Sequence, residues 1–187
     1  MQISTTFLVA LMFVTILTLG IANLLVALAS IVGRPVNEKK DWIPTAWKVL
    51  MLLLHLNVFW HTSAILSVES WGFAGFLYII AGPILLFFSV SVLLAGNESQ
   101  VEEPLIQFTT NSHRFFQLLA IIQIWIIGSD FLLGKGFSLS SLFNLALMLL
   151  ALILMLSKRP NYHTIGLVAA WLIVLSILSL RGLGIIV

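Results

Sequence analysis

Six long apolar segments dominate this chain of 187 residues and restrict what it can fold into. A helix that crosses a bilayer needs about 20 mostly apolar residues, and each segment reaches or approaches that length. The pattern predicts an all-α polytopic transmembrane bundle that forms a single domain over residues 1–187. The predicted spans cover approximately residues 5–32, 43–68, 71–95, 114–133, 137–157 and 163–180.

The composition indicates that lipid, not water, surrounds most of the chain. Hydrophobic residues make up 60% of the sequence and charged residues only 9%, whereas a soluble domain has about 25% charged residues. The net charge of +2 is too small to indicate a nucleic-acid partner. The sequence contains no cysteine, which excludes disulfides, thiolate metal sites and thiol nucleophiles.

The first apolar segment is predicted to be a retained span. Residues 27–30 (ALAS) resemble a signal-peptide cleavage site. However, no basic region precedes the apolar run, and the run is longer than that of a usual signal peptide.

Basic residues are distributed unequally between the two sets of connections, and this asymmetry predicts the orientation. Connections rich in Lys and Arg usually face the cytoplasm. We therefore expect a multi-pass protein of the cytoplasmic membrane with both termini extracytoplasmic and the acidic connection 96–112 in the cytoplasm. Seven basic residues lie on the predicted cytoplasmic side, against Lys135 and Arg181 on the other: Arg34, Lys39, Lys40, Lys48, Arg114, Lys158 and Arg159.

The second apolar segment carries polar side chains on two faces. At 3.6 residues per turn, Lys48 and His55 lie on one stripe, and Asn57 and His61 lie on another that points nearly the opposite way. Neither face can meet lipid without cost, so we expect this helix to be the most enclosed of the six. A histidine inside a span suits proton or substrate contact. The alternative is that these residues only hydrogen-bond to neighbouring helices as packing contacts.

The histidine spacing argues against a metal or haem site. His55 and His61 are six residues apart, so they diverge by about 120° and are separated by a rise of about 9 Å. Two histidines that chelate one ion from a helix are usually four residues apart. The other two, His113 and His163, are predicted at the cytoplasmic ends of their helices. The sequence therefore predicts no metal and no cofactor.

A polar layer is predicted near the middle of the membrane. Pro83 removes one helical hydrogen bond and should free the carbonyl of Ile79, which would break or kink the third span at Gly82–Pro83. Gln123 in the fourth span is predicted at a depth similar to that of His55. Transporters with broken helices build their binding sites in this way. Ordinary packing of Gly, Pro and Gln is the alternative.

Other residues extend this hypothesis. Asp130 lies one heptad from Gln123 on nearly the same face, although it also suits an interfacial pair with Lys135. Gly166 and Ala170 form a small-xxx-small pair that is typical of helix contacts and points to a homo-oligomer. The predicted substrate or ion pathway comprises His55, Asn57, His61, Ile79, Pro83, Gln123 and Asp130.

Enzyme motifs are absent from the sequence. It contains no G-x-S-x-G elbow, no H-E-x-x-H pair and no phosphate-binding glycine loop. An enzyme is therefore disfavoured, and a lipid-modifying enzyme with a diffuse site is the remaining enzymatic alternative.

Three pieces of sequence resemble a family of bacterial integral membrane proteins with no assigned activity. They are FW at Phe59–Trp60, FLYIIAGPILLFF at Phe76–Phe88 and HRFF at His113–Phe116. The resemblance implies six spans in a bacterial cytoplasmic membrane and transfers no site residues.

Two functions are consistent with these features. The first is a small transporter or ion-conducting protein with a polar site inside the membrane. The second is a non-transporting membrane subunit or sensor that meets a protein partner through cytoplasmic loops, with 96–112 as the expected contact.

Overall fold

The structure, a computed structural model, describes residues 4–32, 42–95, 104–157 and 159–183. Throughout these ranges the regular secondary structure is helical, without a strand. The helices are α1 (Thr5–Val32), α2 (Trp42–Phe59), α3 (Thr62–Leu66), α4 (Phe73–Leu94), α5 (Pro104–Leu132), α6 (Leu139–Leu156) and α7 (Pro160–Gly182).

Six stretches of the described residues are long and apolar enough to cross a membrane, as the sequence predicts. The protein is therefore an all-α integral membrane protein that contacts bilayer lipid. The second stretch, Trp42–Leu66, combines α2 and α3. Helix α5 begins earlier than the predicted start of the fourth span at residue 114. Residues 33–41 and 96–103 lie outside the described residues, so the charge-based orientation stays a prediction.

The helices pack as a bundle in which α2 and α5 each have several neighbours. Helix α2 contacts α1, α4, α5 and α7, and α5 contacts α2, α4 and α6. Helix α1 also packs on α3 and α4, and α7 also packs on α6. We call the end where α1 begins the N-terminal end of the bundle. There, the Thr6 hydroxyl donates to the Val68 carbonyl at 3.0 Å.

The expectation that the second span is the most enclosed was wrong. The most apolar window of the fourth span is 56% buried, against 44% for the second span. Helix α2 still packs on α1, α4, α5 and α7, as expected for a helix that is central in the bundle. The polar side chains of α2 are nevertheless buried, and the helix turns Leu56 and Phe59 to the outside instead.

At Gly82–Pro83 the helix is not broken, and the predicted kink with a freed Ile79 carbonyl stays a prediction. Helix α4 runs through Pro83 without interruption. Gly82 instead provides room for Trp125 of α5, whose indole ring lies where a β-carbon would be. The indole N–H donates to the Tyr78 carbonyl at 2.7 Å, and the Tyr78 hydroxyl donates to the Trp125 carbonyl at 3.2 Å. The Gly-Pro step thus serves helix packing.

The small-xxx-small pair, Gly166 and Ala170, is buried within the bundle of a single chain. Gly166 in α7 faces the Leu154 side chain of α6, and Ala170 is fully buried. These residues hold α6 and α7 together and are not available to a second copy of the chain. The prediction that this pair forms a dimer contact was therefore wrong.

Candidate functional site

The second span is broken at Trp60–His61, before it reaches the N-terminal end of the bundle. In a continuous helix the His61 N–H would donate to the Asn57 carbonyl. It donates instead to the Val58 carbonyl at 2.9 Å. Arg181 of α7 reaches the Asn57 carbonyl in its place, with Nη1 donating at 3.3 Å.

Short side chains satisfy the next carbonyls of the break. The Thr62 hydroxyl donates to the Phe59 carbonyl at 2.7 Å, and the Ser63 hydroxyl donates to the Trp60 carbonyl at 3.0 Å. A helix end leaves its last carbonyls without helical partners, and inside a membrane these groups need other donors. Residues that follow Phe59 in the sequence donate to most of these carbonyls. The Asn57 carbonyl is the exception, because its donor is Arg181, which is distant in the sequence.

Arg181 also binds the side chain of Asn57. The same Nη1 atom donates to Asn57 Oδ1 at 2.6 Å, so one nitrogen bridges the backbone and side-chain oxygens of a single residue. A cation at the carbonyl end of a helix is favourable because that end carries a partial negative charge. Arg181 therefore fixes the end of α2 to α7.

Asp130 of α5 completes the group. Its Oδ1 lies 3.5 Å from His61 Nε2, and both side chains are almost fully buried. Asp130 is also near enough to Arg181 to attract its positive charge. We call Asn57, His61, Asp130 and Arg181 the break cluster. Its residues come from α2, the turn after it, α5 and α7. Asp130 and Arg181 lie within the last turns of α5 and α7, whereas Asn57 lies further inside its span, Trp42–Leu66.

Two nitrogens of the break cluster keep unused hydrogen-bonding capacity. Neither His61 Nδ1 nor Arg181 Nε has a hydrogen-bond partner within the described ranges, although both atoms are buried. A buried polar atom without a partner costs about 1–3 kcal/mol. Such atoms are therefore places where a ligand or a change of conformation would gain stability.

His55 is enclosed by protein, as the sequence predicts. Its ring has no exposed surface, and Nδ1 donates to the Met51 carbonyl at 2.7 Å. That bond leaves Nε2 as the acceptor of a neutral ring. A β-carbon on Gly20 of α1 would lie only 2.6 Å from Nε2, so the imidazole fills the space above this glycine.

Gln123 is enclosed in the same way. It has no exposed surface, and neither its amide oxygen nor its nitrogen has a hydrogen-bond partner in the described part of the chain. The described hydrogen bonds connect neither Gln123 nor His55 to the break cluster. The predicted mid-membrane pair is therefore buried, dry and separate from the charged group.

The structure thus regroups the predicted pathway residues. It brings Asn57, His61 and Asp130 together. Ile79 and Pro83 are buried within α4, and no hydrogen bond among the described residues joins their side chains to the break cluster. The carboxylate of Asp130 pairs with His61 and not with Lys135, which contacts Asp130 through a backbone hydrogen bond at 2.9 Å.

Arg181 is the site residue that sequence reasoning missed. It was treated as one of two basic residues at an extracytoplasmic helix end. The available signal was its depth, because Arg181 and Asp130 both lie within the last turn or so of helices that end on the same side. Opposite charges at one depth inside spans usually pair.

The break cluster does not have the composition of a metal centre. Across residues 4–32, 42–95, 104–157 and 159–183, no three His, Asp or Glu side chains come together in a group that would hold a metal ion. No family model, no curated protein and no solved structure matches this chain.

Proposed function

We propose that this protein is a small transporter or ion-conducting protein of the bacterial cytoplasmic membrane, with the break cluster as its polar site. One observation carries the proposal: a membrane-spanning helix ends inside its span beside Asp130 and Arg181, which come from two other helices. Irregular backbone at membrane depth occurs where it is buried in protein or lines a cavity, and in transporters it forms binding sites.

The position of the break cluster supports a role at the outer mouth of a pathway. Arg181 keeps part of its surface exposed, near the last residues of α7. His55 lies six residues before His61, deeper in α2, and has no contact with solvent. We therefore propose that the structure represents a closed state, with a charged outer site separated from the enclosed His55.

The chemistry of the break cluster favours the transport of positively charged species. The carbonyl end of α2 and the Asp130 carboxylate both attract cations. The imidazole of His61, 3.5 Å from that carboxylate, suits a proton donor or acceptor. We therefore propose protons or small cations, rather than anions, as the species that the site handles.

Flux measurements on purified protein in proteoliposomes test this proposal. The wild type is expected to increase proton or cation flux over empty vesicles, and Asp130→Asn is expected to reduce that flux at least tenfold. Glu69→Gln is the matched control, because Glu69 is an exposed carboxylate at the same end of the bundle. His55→Ala tests the inner part of the pathway separately. Full flux from Asp130→Asn, or no flux from the wild type, contradicts the proposal.

A second candidate is a non-transporting membrane subunit or sensor. The complete enclosure of His55 and Gln123 favours it, because neither side chain contacts a space that holds water. Its expected contact is the acidic connection 96–112, of which residues 96–103 lie outside the described residues. A photo-crosslinker introduced into 96–112 and activated in cells is expected to capture one defined protein. Capture of such a partner, together with absent flux, supports this candidate over transport.

A further inference from the structure

We propose that the break in the second span is a recognition site for organic cations that carry a guanidinium or primary ammonium group. In the closed state Arg181 of the chain itself occupies this site as a tethered ligand of the same chemistry. The physiological part of this inference rests on the proposed transport function, whereas the binding chemistry is testable without it.

The oxygens at the break are arranged for an N–H donor. The carbonyl and the side-chain Oδ1 of Asn57 converge on one nitrogen, at 3.3 and 2.6 Å. This arrangement exists because the His61 N–H turns away to Val58. A single nitrogen that carries two or three N–H groups, as in a guanidinium or a primary ammonium group, can donate to both oxygens at once.

The charges at the break select a cation. The dipole of α2 places partial negative charge at its carbonyl end. Asp130 adds a full negative charge in a buried position. The partial negative charge of α2 and the carboxylate of Asp130 would both repel an anion. The proposed ligand is therefore positively charged.

Arg181 is held in a way that permits exchange. The hydrogen bonds described for its guanidinium all come from Nη1, while Nε has no partner in the described residues. Arg181 also lies in the last turn of α7, which ends at Gly182. An incoming guanidinium group would restore both bonds to Asn57, so displacement of Arg181 loses little hydrogen bonding.

Chemical labelling of the wild-type protein tests the exchange directly. The purified protein is treated with phenylglyoxal, which modifies accessible arginines, in the presence of methylguanidinium or of tetramethylammonium at equal ionic strength. Mass spectrometry then gives the rate at each arginine. Because phenylglyoxal also reacts with methylguanidinium and is partly consumed by it, the rate at Arg181 is divided by the rates at the exposed Arg114 and Arg159 in the same sample. We expect methylguanidinium to raise this ratio at least threefold. An unchanged ratio, or an equal rise with tetramethylammonium, overturns the inference.

A variant series provides a second test. Arg181→Ala empties the site, and millimolar guanidinium is expected to raise the melting temperature of this variant more than sodium does. Adding Asp130→Asn to Arg181→Ala should abolish that difference. If Arg181→Ala does not fold, the labelling result on the wild type decides alone.

The two proposals fail separately in these experiments. Displacement of Arg181 by methylguanidinium without any flux supports the cation site and contradicts transport. Flux without displacement leaves transport standing and overturns the cation site.

Discussion

At the scale of single residues, Gln123 is the most informative side chain, because a buried amide without partners is expensive. Its oxygen and nitrogen both lack hydrogen bonds within the described residues. Leu has a similar size and no polar atoms to desolvate. Gln123→Leu is therefore expected to raise the free energy of unfolding by about 1–3 kcal/mol, measured as increased thermal or denaturant stability in detergent.

Gln117→Leu is the matched control for this prediction. Gln117 lies on the same helix but is exposed, so the substitution should change the stability by less than about 0.5 kcal/mol. If Gln123→Leu destabilises the protein instead, the amide has a partner in solution. If Gln123→Leu stabilises the protein and also reduces flux, the unsatisfied amide is retained for transport.

The sequence identified most of the unusual residues but not how they combine. Asn57, His61 and Asp130 stand out because each is polar within an apolar segment. Their meeting with Arg181 depends on a contact between residues 124 positions apart. Helical periodicity also assumed that α2 stays regular through His61, and the break changes the direction in which that side chain points.

At the scale of helices, the crossing of α1 and α2 depends on the absence of a side chain at Gly20. A β-carbon there would approach His55 Nε2 to 2.6 Å, and the ring is held in place by Met51. Gly20→Ala is therefore expected to destabilise the protein by about 1–3 kcal/mol through overpacking. Unfolding of the purified variant measures the loss.

A double variant separates this overpacking from a general effect on α1. His55→Ala removes the ring that the new methyl group would strike. The Gly20→Ala change should therefore cost less in a His55→Ala background than in the wild type. Equal costs in both backgrounds would show that the contact between Gly20 and His55 does not limit the crossing.

The contact between α4 and α5 gives a parallel prediction. A β-carbon at Gly82 would overlap the indole of Trp125. Gly82→Ala should therefore cost at least 2 kcal/mol, about the upper range for inserting a methyl group into a packed core. Gly75→Ala, in the same helix, meets only Trp71 at 3.4 Å and is expected to be neutral or slightly stabilising. Comparison of the two melting temperatures provides the measurement, and equal values would contradict the packing role of Gly82.

Helix breaks illustrate where local rules succeed and fail. Pro83 removes a hydrogen bond wherever it stands, yet α4 remains helical, and Tyr78 of α4 exchanges two hydrogen bonds with Trp125 of α5 shortly before the proline. The real break at Trp60–His61 has no Pro or Gly. The hydroxyls of Thr62 and Ser63 stabilise it locally, and these residues are too common in membrane helices to mark a break from sequence alone.

At the scale of the whole molecule, the six spans were predictable because the length of an apolar segment is a local property of the sequence. The order of burial was not. Enclosure depends on how completely neighbouring helices cover a span, and the fourth span is more fully covered than the second, although α2 packs on α1, α4, α5 and α7. The break cluster likewise exists only after α2, α5 and α7 have come together.

The distribution of charge also predicts how the whole molecule is oriented in the membrane. Seven basic residues on one side against two on the other predict that both termini lie outside the cytoplasm. The break cluster would then open toward the extracytoplasmic side. The chain has no cysteine, so a single introduced cysteine reports its own location without background.

Lys135→Cys and Arg159→Cys form a matched pair for this measurement. Both positions are exposed, and they lie at opposite ends of α6. In intact cells a membrane-impermeant maleimide is expected to label Lys135→Cys and to leave Arg159→Cys unmodified until the membrane is permeabilised. The reverse pattern would place the break cluster on the cytoplasmic side. Arg181 would then bind ligands from inside the cell, because the fold fixes which residues share an end but not which compartment that end faces.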